Sequence, residues 1–259
     1  MVVWTVANQK GGVGKTTTTV TLGSLLALQG KRVLLVDTDP HASLSYYFGV
    51  DSEELSASLY DIFIAGKKPS TDRVLDCLCP TKLDSLFILP ATMALATLDR
   101  TMGNQGGMGL VLKNALDAVS HEFDYVLLDC PPVLGVLMVN ALAASDRILI
   151  PVQTEFLALK GLDRMMHTLE IMQKSQPKAF EYSIIPTMYD KRINAAMDAY
   201  KQLQATYGEK VWSGVIPVDT RFRDASQAQS PPPLHCPKSR GVYAYATLLE
   251  HLQSLESSS

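Results

Sequence analysis

The sequence predicts an α/β protein built on a single doubly wound, mostly parallel sheet with helices on both faces. Three observations carry that prediction. Short, continuously apolar runs recur along the chain, as strands covered on both sides require. Longer segments of helical periodicity separate them. A glycine-rich loop joins the first apolar run to the first helix, where this architecture holds ligands. Composition agrees: 47% hydrophobic and 19% charged residues over 259 positions support a sizeable core and exclude a disordered chain.

In chain order, strands are expected at Val2–Ala7, Val33–Val36, Leu86–Leu89, Tyr125–Leu128, Arg147–Val152, Tyr182–Pro186 and Gly214–Pro217. Helices are expected at Lys15–Gln29, Gly109–Ser120, Leu157–Lys174, Asn194–Tyr207 and Val242–Leu255. Gly30 is placed to end the first helix in a left-handed conformation. Asp51–Pro80 has weak periodicity, Ser230–Pro233 reads as an ordered turn, and the tail is expected to fray from about residue 255. No linker or repeat divides the chain, so residues 1–259 read as one domain.

Several classes are excluded at this level. No run approaches the roughly 18 apolar residues of a spanning helix, and the N-terminus lacks the pattern of a secretory signal. Cys77, Cys79, Cys130 and Cys236 have neither disulfide-framework nor tetrahedral metal spacing. A net charge of −3 gives no global attraction to nucleic acid, so any such contact needs a local patch.

The strongest motif is Lys10–Thr17, KGGVGKTT, directly after the first strand. Gly11, Gly12 and Gly14, with Val13 between them, allow a tight loop whose backbone N–H groups face phosphate oxygens. Lys15 is placed to reach the β/γ-phosphates and the Thr16 hydroxyl to ligate Mg²⁺. Thr17 continues into the helix, whose positive end adds to the site. Gln9 stands where the standard pattern has glycine, and Lys10 is a second lysine in the loop. Its position would let it reach a nucleotide held by a facing subunit and neutralise transition-state charge. The alternative is that it adds field to its own site or is solvated.

The second strand runs into VLLVDTDP, leaving Asp37 and Asp39 at its carboxyl end. There they would orient a Mg²⁺-bound or attacking water. Asp129 closes YVLLD in the form of a Walker-B carboxylate holding Mg²⁺ through water. Cys130 has no basic partner that would make it a nucleophile, and His41 reads as a local structural residue.

Together KGGVGKTT, VLLVDTDP and YVLLDCPP resemble the ParA/MinD family of deviant-Walker P-loop ATPases, closest to its short ParA-type (Soj-like) partitioning members. The likeness extends through LPA, PVQTEFLALKGL, PTMYDKR, IPVDTRFRDA and PKSRG. It implies ATP and Mg²⁺ as cofactors, weak basal ATP hydrolysis, and a homodimer formed on ATP binding. By the same resemblance, Lys10 crosses to the partner's nucleotide and Gly11 permits the close approach. Lys15 and Thr16 serve phosphate and Mg²⁺, while Asp39 helps activate water and lies at the metal with Asp129. Adenine would rest on Thr187–Met188 and on Pro217, Val218 and Asp219. DPHAS, Asp39 to Ser43, replaces the common DPQGN, which puts the hydrolysis rate in question. No helix-turn-helix segment precedes the first strand, so operator autoregulation is not expected.

The resemblance also implies non-specific DNA binding, a ParB-like or other cargo adaptor that stimulates hydrolysis, and a cytoplasmic location on the nucleoid when ATP is bound. The candidate DNA residues are Arg192, Arg221, Arg223, Lys238 and Arg240. A MinD-like membrane role is disfavoured. The C-terminal segment puts Val242, Tyr245, Leu248, Leu249, Leu252 and Leu255 on one face, but has no Lys or Arg after Arg240. A small-substrate metabolic ATPase of the same fold is the other alternative.

Overall fold

The computed structural model describes residues 1–102, 108–174 and 179–257. Its seven-stranded sheet has the order β3-β4-β2-β5-β1-β6-β7. The strands are β1 (Val2–Val6), β2 (Val33–Asp37), β3 (Cys79–Pro80), β4 (Leu86–Leu89), β5 (Tyr125–Asp129), β6 (Arg147–Gln153) and β7 (Tyr182–Thr187). All pairings are parallel except β3 with β4. The sheet is thus the doubly wound form expected, with a two-residue antiparallel edge that the sequence did not signal.

Twelve α-helices lie among the described residues. They are α1 (Lys15–Leu28), α2 (Ser43–Tyr47), α3 (Leu59–Ile64), α4 (Thr71–Leu75), α5 (Leu98–Met102) and α6 (Val111–Ala118). Then follow α7 (Val136–Ala144), α8 (Phe156–Gln173), α9 (Asn194–Tyr207), α10 (Arg221–Gln227), α11 (Pro232–His235) and α12 (Arg240–Ser257). One core, under α3, α6, α7 and α8, covers one face of the sheet. A second, under α1 and α12, covers the other.

Helix α1 lies hard against β2: a Cβ added to Gly23 would sit 2.4 Å from Leu35 Cδ2. Gly30 ends it with a φ of 81°. On α12 the side chains of Val242, Tyr245, Leu248, Leu249 and Leu252 are buried, which is the core packing expected of them. Ser239 starts that helix by accepting a bond from Val242 N at 3.0 Å.

Three expectations change. Gly214–Pro217 is not a strand; it is a loop with one isolated bridge, Tyr189 to Pro217. An added Cβ at Gly214 would fall 2.3 Å from the Trp212 ring, so the chain bends there around a buried indole instead of extending. Asp51–Pro80 contains the short helices α3 and α4. The C-terminal helix, expected at Val242–Leu255, runs two residues further at each end, from Arg240 to Ser257. The last two residues of the tail, 258–259, lie outside the described residues.

The reason for that extension is Glu256. Its carboxylate accepts from Trp4 Nε1 at 2.8 Å and from Tyr125 OH at 2.9 Å, fastening α12 to β1 and β5. Burial, and then Glu256, push the Tyr125 phenol up to about 12. Glu256→Ala leaves two part-buried donors unpaired and should cost about 1–3 kcal/mol. A urea titration checks this: the midpoint should fall with the slope unchanged.

Candidate functional site

β1, β5 and β2 end side by side, and their carboxyl ends carry the candidate site. Asp37 and Asp129 are register partners, and Val6 is the partner of Asp129 on its other side. After Val6 the chain turns into the glycine loop. Asn8 anchors it by donating to Pro151 O at 2.8 Å and accepting from Lys10 N at 3.0 Å. Gln9, the residue in the place of a glycine, donates to Thr168 Oγ1 at 2.6 Å and ties the loop to α8. Gly12 and Gly14 have φ of 75° and 92°, conformations a side chain resists. A Cβ built on Gly11, Gly12 or Gly14 meets nothing within 4 Å, so the loop forms an open cradle. Val13 is buried beneath it, and its carbonyl accepts from Thr187 Oγ1 at 2.9 Å.

Lys15 opens α1 at the base of the cradle and donates to Lys10 O at 3.1 Å. Burial lowers its pKa, opposed first by the charge of Asp129. Thr16 Oγ1 donates to Asp129 Oδ2 at 2.6 Å, and Thr17 is half-buried in the same turn. Hydroxyl and carboxylate oxygens under an open anion cradle fit a hard divalent cation such as Mg²⁺.

Both strand-end carboxylates are fully enclosed. Burial raises Asp129 to about 8, helped by the charge of Asp37. Burial raises Asp37 to about 6, against hydrogen bonds from Ser45 and Asp39 N. Asp39 is more open; its Oδ1 accepts from His41 N and faces His41 Nδ1 at 2.9 Å. Cys130 is buried and its thiol is pushed up by burial and by Asp129, so it stays protonated and inert.

Lys10 forms an ion pair with Glu155, the residue before α8. Glu155 was missed in the sequence because it stands 145 positions away, and nothing in PVQTEFLALKGL marks its carboxylate as a partner for the loop lysine. Gly161 completes the arrangement: a Cβ there would lie 3.2 Å from Lys10 Cβ, so the helix is thinned where the lysine crosses it.

A second set of residues gathers at the ends of β7 and the following loops. Met188 takes a φ of 53°. Tyr189 N then donates to Ile216 O, joining the segment to Pro217 and Val218. The open cavity there is about 780 Å³ and is lined by Tyr189, Pro217, Val218, Asp219, Arg221 and Arg240, among others. The expected base-binding residues divide. Pro217, Val218 and Asp219 line the cavity, the last also bonded to Gly241 N at 3.0 Å and to Arg221, while Thr187 supports the glycine loop.

The candidate DNA residues are exposed. Arg192 is clamped on Asp190, holding that carboxyl down at about 2. Arg221 is clamped on Asp219. Arg240 borders this cavity and also a neighbouring groove with Lys238, while Arg223 lies on α10.

The raised carboxyls fix a pH dependence. The folded state binds protons at Asp37 and Asp129 above the ordinary value of 3.8. The ligand-free protein should therefore lose stability as pH rises from about 4 toward about 8. Denaturation midpoints across that range check this. Asp129→Asn should flatten the profile and stabilise the ligand-free protein at the alkaline end.

Comparison with known proteins agrees with this geometry. A family model described as an AAA domain matches residues 1–182. The sporulation initiation inhibitor protein Soj of Bacillus subtilis is 37% identical over 248 residues, 95% of this chain and 96% of its own. The chromosome partitioning protein ParA of Caulobacter vibrioides is 38% identical over 257 residues, 98% of this chain and 94% of its own. A solved structure of cobyrinic acid a,c-diamide synthase from Mycobacterium smegmatis, with bound ATP analogue and magnesium, superposes with a TM-score of 0.85. It is 31% identical, covering 100% of this chain and 97% of that one. On the glycine loop, its buried carboxylate and a likeness that spans nearly the whole sequence, the chain belongs to the ParA/MinD family of P-loop ATPases.

Proposed function

We propose that this protein is a ParA-type ATPase that dimerises on binding ATP, holds non-specific DNA, and positions or segregates a DNA or protein cargo. The observation that carries the reading is the open glycine cradle above Lys15, with Thr16 bonded to a buried Asp129 at 2.6 Å. Gly11, Gly12, Val13 and Gly14 receive the phosphates with their backbone, Lys15 neutralises them, and Thr16, Asp39 and Asp129 serve the Mg²⁺. When bound, Mg²⁺ supplies charge neutralisation at the phosphates. Asp39 orients the attacking water. Pro217 and Val218 give the base an apolar floor beside Met188.

Dimerisation is supported by the surface beside Lys10. Phe156 and Leu157, next to Glu155, are 66% and 68% exposed, an apolar face suited to a second copy. Lys10 would leave Glu155 and enter the partner's site. That ion pair is half-exposed and inexpensive to exchange. Arg192, Arg221, Arg223, Lys238 and Arg240 then form the DNA surface, doubled in the dimer. A ParB-like or other adaptor stimulates hydrolysis and releases the protein from the nucleoid into the cytoplasm. No described helix is long and apolar enough to cross a membrane, and the apolar face of α12 is occupied by the core.

The second reading, a small-substrate ATPase, draws on the synthase name of the Mycobacterium smegmatis neighbour. One experiment separates them: DNA binding with ADP, ATP and a non-hydrolysable ATP analogue at two salt concentrations. The ParA-type reading requires binding with ATP or analogue only, weakened about 100-fold or more between roughly 50 and 200 mM salt. Equal binding in all states, or none at low salt, favours the metabolic reading.

Lys10→Ala tests the role across the dimer. Turnover should fall at least about 100-fold, as when a transition-state donor is removed, while the monomer keeps its affinity for ATP. Loss of monomer binding would place Lys10 in its own site instead.

A further inference from the structure

The segment from Asp39 to Ser43 is where this chain departs from the DPQGN pattern, and its geometry gives the histidine a task. Asp39 O accepts from Ala42 N at 2.8 Å, closing a four-residue turn with Pro40 at its second position, where the ring presets φ. Ala42 stands where the pattern has glycine and is held at a φ of 55°, an unfavourable conformation for a residue with a Cβ. The turn is pinned from below. Asp37 Oδ1 accepts from Asp39 N at 3.1 Å, and Asp37 Oδ2 accepts from Ser45 N and Ser45 Oγ at 2.9 and 2.8 Å. Ser45 Oγ in turn accepts from Ala91 N at 3.2 Å, at the end of β4. The backbone around Asp39 is therefore fixed on both sides.

What remains free in such a turn is rotation of the Asp39 carboxylate, and His41 removes it. Oδ1 accepts from His41 N at 3.0 Å and meets His41 Nδ1 at 2.9 Å. A carboxylate only accepts, so Nδ1 must carry the proton. Oδ2 has no hydrogen bond among the described residues. The Asp39 side chain is 17% exposed, whereas His41 is 77% exposed, so the ring lies over the carboxylate from the solvent side.

We propose that His41 is a positioning residue for ATP hydrolysis: its Nδ1–H holds Asp39 Oδ1 in the turn and leaves Oδ2 to orient the attacking water. This rests on the role given to Asp39 above. It also explains how the segment dispenses with glutamine. A glutamine amide nitrogen lies one bond farther from the backbone than Nδ1 and does not reproduce the short return contact. An asparagine amide nitrogen occupies the same bonded position as Nδ1. Orienting a reacting carboxylate in this way is worth about tenfold in rate where comparable supporting contacts have been removed.

The test has two arms on the intact protein. In steady-state ATPase assays, His41→Ala should lower kcat about tenfold with KM for ATP nearly unchanged, and His41→Asn should recover most of the loss. Unchanged kcat in His41→Ala overturns the proposal. So does an equal loss in His41→Asn with the fold intact. In the second arm, ¹⁵N NMR of the nucleotide-free protein, at a pH where the ring is neutral, should show His41 protonated at Nδ1. Asp39→Ala should abolish that preference, and a ring protonated at Nε2 in the unaltered protein overturns the proposal without any reference to activity. Absence of turnover in every form, with the Nδ1 signature present, overturns the ATPase reading and the positioning role with it.

Discussion

Asp37 and Asp129 are neighbours across adjacent strand ends, both enclosed, and neither has an ion-pair partner among the described residues. Burying even one carboxylate costs several kcal/mol unless its charge is answered. Here the reply is divided. Asp37 is satisfied internally by Ser45 and by the Asp39 amide, and becomes part of the scaffold. Asp129 keeps only hydroxyl partners, Thr16 and the longer contact from Thr19, so its charge is left for something brought to the site. The glycine loop and the seating of α1 on β2 together set Thr16 against that oxygen, beneath the open cradle.

The same economy of space governs Lys10. A helix would ordinarily gain about 1 kcal/mol from alanine in place of glycine. At Gly161 that gain is forgone because a methyl group would press on Lys10 Cβ at 3.2 Å. The segment after β6 thus contributes a carboxylate at Glu155, a glycine one turn and a half later, and exposed Phe156 and Leu157 between them. Under the proposed dimerisation, such a surface would park the lysine in the monomer and present it to the partner.

Much of this was legible because the decisive chemistry is local. Strand, glycine loop, Lys15-Thr16 and helix follow one another directly, Asp37 and Asp129 each close an apolar run, and Asp39 stands two residues past the first of them. What escaped reading depends on distance or on ambiguous periodicity. Glu155 meets Lys10 and Thr187 meets Val13 across 145 and 174 positions, and no local pattern links the two ends of either pair. Helix α7 is apolar nearly all round, so it offers no stripe to distinguish it from a buried strand. Gly214–Pro217 erred in the opposite direction, since an apolar run next to a buried Trp212 is obliged to bend. Glu256 looked like part of a frayed tail because its partners, Trp4 and Tyr125, lie at the far end of the chain and on a central strand.

The proposed DNA surface raises the matter of charge, since a chain at −3 has little to spare. Asp190 and Asp219 each clamp an arginine two residues on, which halves the free positive charge around the cavity. The two clamps differ in kind. Arg192 is 84% exposed over a half-buried Asp190, and a pair with one partner this open to water is worth little. A phosphate can replace that carboxylate at small cost. Asp219 is almost buried and also accepts from Gly241 N in the first turn of α12, where a negative charge is favoured by the helix. It therefore stays in place, and Arg221 with it, as a fixed guanidinium at the mouth of the cavity. Arg192 is then the mobile cation and Arg221 the oriented one, so substitutions at the two positions should weaken DNA binding by different routes. Loss of either arginine removes one positive charge and unpairs one carboxylate, but loss of Arg221 also removes the guanidinium that is held in a fixed orientation. The larger defect is expected at Arg221, measurable as the greater drop in affinity for Arg221→Ala at a single low salt concentration.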